Sequence, residues 1–92
     1  VTAARPIERV ARDLREVRRT LAVVRATEAL DPADPELVAE LGRRLDGLLL
    51  EAARALEVAV PLEWLAADGG LSDDGRLAVL GAVRAAGLAV DP

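Results

Sequence analysis

The chain has 92 residues, of which 52% are apolar and 30% charged, and its formal charge is −4. That is one domain's worth of chain, with material for a core and too little net charge for disorder. Histidine, cysteine and lysine are absent, which excludes disulfides, thiolate metal sites, histidine general bases and Schiff-base lysines.

The first predicted element runs from Pro6 to about Leu30. Ile7, Val10, Leu14, Val17, Leu21 and Val24 recur at alternating steps of three and four. This is an a/d stripe over nearly three heptads, the signature of an amphipathic helix that packs along its length. Pro6 suits the first turn, where an N–H would have no partner. Arg5, Arg12 and Arg19 fall opposite the stripe and share one outward face.

The second predicted helix spans about 34–60. Asp34 is the expected N-cap, Pro35 the first helical residue, and Glu36 adds negative charge at the positive end of the helix dipole. Leu37, Val38, Leu41, Leu45, Leu48, Leu49, Ala52 and Leu56 make an apolar face too broad for one partner helix. Gly42 and Gly47 are expected to permit close helix approach. A link of about four residues between two long helices predicts an antiparallel hairpin.

Pro61 to Asp68 is predicted to form a short helix of two turns, with Leu62, Trp64 and Leu65 plugging one end of the hairpin. Trp64, the only aromatic residue, is alternatively an interface anchor. The last predicted helix covers about 72–86. Ser72 is its N-cap, Leu77, Leu80 and Val83 its inner face, and Gly87 its C′ residue, followed by an apolar contact from Leu88. No stretch alternates with period two, so no sheet is expected.

The fold class is therefore all-α: one domain over 1–92, a long antiparallel hairpin plus two short C-terminal helices, pairing into a four-helix-type bundle. Asp68, Asp73 and Asp74 miss the spacing of a calcium loop and suit caps and turns instead. No catalytic, cofactor or metal site is expected. The string from Leu71 to Leu80 superficially resembles the opening helix of LuxR-type DNA-binding domains. No recognition helix follows it, and Asp73 and Asp74 would repel DNA, so nothing is carried over from that likeness.

Charge is unevenly divided. Residues 1–30 hold seven arginines against four carboxylates, and residues 31–92 hold five against twelve. These features point to a non-enzymatic, cytoplasmic protein–protein interaction module, without export signal or membrane span. It would act as a homodimer or as a small subunit or adaptor of a larger complex. The expected interface is Ile7, Val10, Leu14, Val17, Leu21 and Val24, with Leu45, Leu49, Leu56 and Trp64. Arg5, Arg12 and Arg19 would form the charged face that selects the partner. The alternative is a small nucleic-acid-binding regulator using the Arg-rich first helix, which the acidity of the remaining chain opposes.

Overall fold

In a computed structural model, the described residues are 6–28, 32 and 34–91. They form three α-helices and one 3₁₀ turn. These are α1 (Ile7–Thr27), α2 (Pro35–Ala55), the turn (Leu62–Trp64) and α3 (Asp73–Ala85). Among the described residues there is no strand, only a single antiparallel bridge between Leu65 and Leu71. No helix is long and apolar enough to cross a membrane, among the described residues.

The helix signals map onto observed caps. Pro6 precedes α1, and its carbonyl accepts from the N–H groups of Arg9 and Val10. The Asp34 carboxylate accepts from the N–H of Glu36 at 2.9 Å, with Pro35 opening α2. The Ser72 hydroxyl accepts from the N–H of Gly75 at 3.0 Å and opens α3. Gly87, at φ 101°, ends α3, with the Leu88 N–H returning to the Val83 carbonyl. Leu88 packs half-buried on the core, the apolar contact that accompanies such a cap.

Two expected boundaries move. The second helix stops at Ala55 rather than near Val60. Glu57 takes a left-handed φ of 57°, and the Val58 N–H reaches back to the Ala53 carbonyl at 2.8 Å. The apolar period continues through Leu56, but Pro61 disfavours helix at Val60 and would clash with the Glu57 carbonyl in an unbroken helix. The predicted two-turn helix over 61–68 is only the 3₁₀ turn at Leu62–Trp64. Beyond it the chain folds back. Ala66 donates to the Gly70 carbonyl, and Asp68 Oδ1 accepts from the Gly70 N–H at 2.9 Å. This turn spends on a bridge the backbone groups a longer helix would have used. Leu62 does not plug the hairpin; it is 85% exposed.

α2 lies in the middle. It packs against α1 on one side and α3 on the other, while α1 and α3 make no close backbone approach. The core comes from Val10, Leu14, Val17 and Leu21 of α1 and from Leu41, Leu45, Leu48, Leu49, Ala52 and Ala53 of α2. Val79 and Val83 of α3 complete it, with Leu71 and Val90 from the connecting turn and the C-terminal tail. The inner face of α3 is thus Gly75, Val79 and Val83, not the face carrying Leu77, which points outward.

The glycines exchange roles relative to expectation. A methyl group built at Gly42 or Gly47 would meet nothing within 4 Å, so neither supports close helix packing. Gly75 does: the same methyl would lie 2.1 Å from the Trp64 carbonyl oxygen. Because Gly47 is exposed in mid-helix, Gly47→Ala is expected to raise stability by about 0.5–1 kcal/mol, through helix propensity and a less flexible unfolded chain. A rise in the urea midpoint with unchanged slope is the expected readout.

Candidate functional site

The sequence-derived interface residues lie inside the chain's own core. Val10, Leu14, Val17, Leu21, Leu45 and Leu49 are all buried, and Ile7, Val24, Leu56 and Trp64 pack half-buried against them. The stripe expected as an interface is thus covered within the chain itself. α1 lays the stripe on α2, and Val90 of the tail helps close it, so it has almost no area left for a partner. Of the predicted charged face, Arg12 and Arg19 are exposed. Arg5 lies outside the described residues.

A different surface emerges beside the stripe. Arg15, Arg18, Ala22 and Arg25 follow one another at three, four and three residues along one flank of α1. Across a cleft stands the flank of α3 carrying Arg76, Leu77, Leu80 and Arg84, with Leu45 of α2 in the floor. The cleft exists because α1 and α3 flank α2 without a close approach of their backbones.

One half of the cleft is filled by the chain's own tail. Arg15 Nη1 donates to the Ala89 carbonyl at 2.8 Å, and Arg18 Nη1 to the Val90 carbonyl at 2.6 Å. Arg18 and Arg84 converge on Asp91 Oδ1 at 3.2 and 2.6 Å. Val90, 1% exposed, drops into the core between them. The other half is open. It is a depression of about 280 Å³ lined by Arg18, Leu21, Ala22, Arg25, Leu45, Arg76, Leu77 and Leu80. Leu77 is 69% exposed there. Arg25 is exposed and has no ion pair among the described residues. A second depression shares Leu21, Arg25, Leu45 and Arg76 and extends past Arg43 and Asp68.

The wall beside Arg76 is held by an ion pair whose carboxylate is buried and whose guanidinium is half-buried. Asp46, on α2, accepts from Arg76 Nε at 2.7 Å and from Arg76 Nη2 at 3.1 Å, and also from the Leu71 N–H at 3.1 Å. Its hydrogen bond to Asp46 raises the pKa of Arg76 above its ordinary value, against the opposing effect of burial. The guanidinium therefore stays charged, clamped side-on to the carboxylate. Sequence reasoning missed Asp46. The available signal was a carboxylate inside the apolar run Leu45–Leu50, where a charge needs a partner.

The tail's carboxylate is held below its ordinary range, chiefly by the hydrogen bond from Arg84 and then by that from Arg18. A carboxyl whose folded pKa is lowered contributes stability above its unfolded value, about 3.9, and loses it as pH falls through the folded value. Acidification below about pH 4 is thus expected to loosen the tail without releasing it, because the two arginines still donate to the carbonyls of Ala89 and Val90. Backbone heteronuclear NOE values at Ala89–Asp91 should fall in acid while those of α2 hold. Constant values at the tail would mean that the Asp91 charge does not fasten it.

No protein family matches the chain, and neither a curated protein nor a solved structure matches it.

Proposed function

We propose that the protein is a non-enzymatic interaction module of the cytoplasm, a small subunit or adaptor that receives a partner's helical segment in the open half of the α1–α3 cleft. A cysteine-free chain gains no stabilisation from an oxidising compartment. The single observation that carries the binding reading is the cleft itself. It is a concavity with an apolar floor, an exposed leucine on one wall and arginines at its rim. Exposed leucines are common singly, but one bordering a groove is the pattern of helix-in-groove recognition. Among the described residues, Val23, Leu37, Leu62 and Leu77 are large apolar side chains left exposed, and of these Leu77 alone borders this cleft.

Three of the carboxylates near the cleft are committed to structure, which supports a binding rather than a catalytic reading. Asp46 holds Arg76 and Leu71, Asp68 closes a turn, and Asp91 fastens the tail.

Three helical peptides with identical leucine positions, but acidic, neutral or basic flanks, test the reading by amide chemical-shift mapping. At least one should perturb Ala22, Leu77 and Leu80 together and lose that effect on Leu77→Arg. That variant should keep its melting behaviour, because the side chain is already exposed. No perturbation of the cleft by any of the three would overturn the proposal.

A further inference from the structure

We infer that the segment received in this cleft is an acidic amphipathic helix of a partner protein, its carboxylates meeting Arg25 and its apolar residues seating on Ala22, Leu77 and Leu80. This rests on the reading above and adds the chemistry of the occupant.

The tail shows what the cleft accepts. Where it is filled, it holds a branched aliphatic side chain in the core and a carboxylate between two rim arginines: Val90 inside, Asp91 on Arg18 and Arg84. The open half repeats those components on the same two helices. Leu77, Leu80 and Ala22 supply the apolar surface and Arg25 the rim cation.

Charge decides the sign of the occupant. The open depression is lined by Arg18, Arg25 and Arg76 and by no carboxylate, with Asp91 engaged on Arg18 and Asp46 on Arg76. The cleft is thus locally basic on a chain whose overall charge is −4. A carboxylate brought to Arg25 gains a planar, two-pronged partner. A basic segment would meet like charge at Arg25, the exposed cation of the open half, which selects against it.

Dimensions decide its form. From Arg18 to Arg25 is two helical turns, about 10 Å along α1. That length admits two or three anchors spaced i, i+3 or i+4, i+7, the reach of a short amphipathic helix. It lies in the gap between α1 and α3, so the occupant becomes the fourth rod of a bundle. A contact this small falls below the area of a standard stable interface, so binding is expected to be weak, rapid and salt-sensitive.

The test titrates the full chain with the acidic, neutral and basic peptides of about three turns each, by fluorescence anisotropy at low and at physiological salt. The acidic peptide should bind and the basic one should not. Arg25→Glu should weaken acidic-peptide binding about tenfold. Arg12→Glu, an equal change in net charge on the outer face of α1, should leave it within about twofold. Both arginines are exposed, and thermal melts establish that each variant folds. Equal binding of the acidic and basic peptides, or binding of the neutral peptide alone, would refute the acidic occupant while the docking role stands; binding of none of the three would refute both. Equal loss in the two variants would reduce the effect to net charge and overturn the inference. So would sedimentation showing a dimer of the chain alone that dissociates on Leu77→Arg, because the occupant would then be a second copy.

Discussion

Gly75→Ala is expected to destabilise the protein by about 2–4 kcal/mol, although alanine is the better helix former by about 1 kcal/mol. The added methyl would stand 2.1 Å from the Trp64 carbonyl oxygen and 2.8 Å from its carbon. These are backbone atoms, so no rotamer change relieves the overlap. The first turn of α3 must move away from the 3₁₀ turn. That movement loosens the two bonds the Trp64 carbonyl accepts, from the Ser72 N–H at 2.9 Å and the Ser72 hydroxyl at 3.2 Å. Two weakened hydrogen bonds at about 1 kcal/mol each, added to overpacking of about 1–3, exceed the gain in propensity. Urea unfolding of Gly75→Ala beside Gly47→Ala separates the effects, because the same chemical change should lower the midpoint at one site and raise it at the other. A neutral Gly75→Ala would mean that α3 does not seat against Trp64.

The second large effect is expected at Asp46. Replacing it with alanine removes the acceptor of three hydrogen bonds at once. The Leu71 N–H is left buried without a partner. Arg76, whose side chain is 27% exposed, can turn partly toward water, which keeps the cost below that of a fully buried orphan charge. A loss of about 2–3 kcal/mol follows. Asp46→Asn should cost less, because its amide oxygen can still accept from Leu71. The double variant Asp46→Leu with Arg76→Met should recover part of the loss, since an apolar pair has no charge to desolvate. If the double variant is as damaged as Asp46→Ala alone, the penalty comes from the Leu71 amide rather than from the stranded arginine.

Local signals carried the helices. The α1 stripe, the Asp34-Pro35 start and the Ser72 and Gly87 caps each depend on residues within one or two turns of one another. Such spacing can be read directly from the chain. What stood opposite a residue could not be read in that way. Gly42, Gly47 and Gly75 look alike in sequence, but the difference lies in a carbonyl eleven residues from Gly75 and in open solvent beside the other two. The stripe from Ile7 to Val24 announced burial without naming its cover. Part of that cover is Val90, more than sixty residues from Val24. Leu77 fits a helical period and faces outward, because the inner face of α3 is set by Gly75, where the helix must lie flat on the turn. The candidate site was legible only in its parts. Arg18, Ala22 and Arg25 share a flank in any helix, whereas their meeting with Leu77 and Leu80 depends on how α3 crosses α2.

The fastening of the tail has a consequence for how the molecule is made. Ala89 and Val90 are gripped by side chains from positions 15 and 18, sequence separations of 74 and 72 residues. During synthesis the opening rod leaves the ribosome long before the valine that seals its side has been translated. For that interval its uncovered edge is bordered by Arg15 and Arg18, two like charges that repel the same edge of another chain and discourage premature clumping. Arginines that later act as a latch would thus first serve as a temporary guard for the newborn chain.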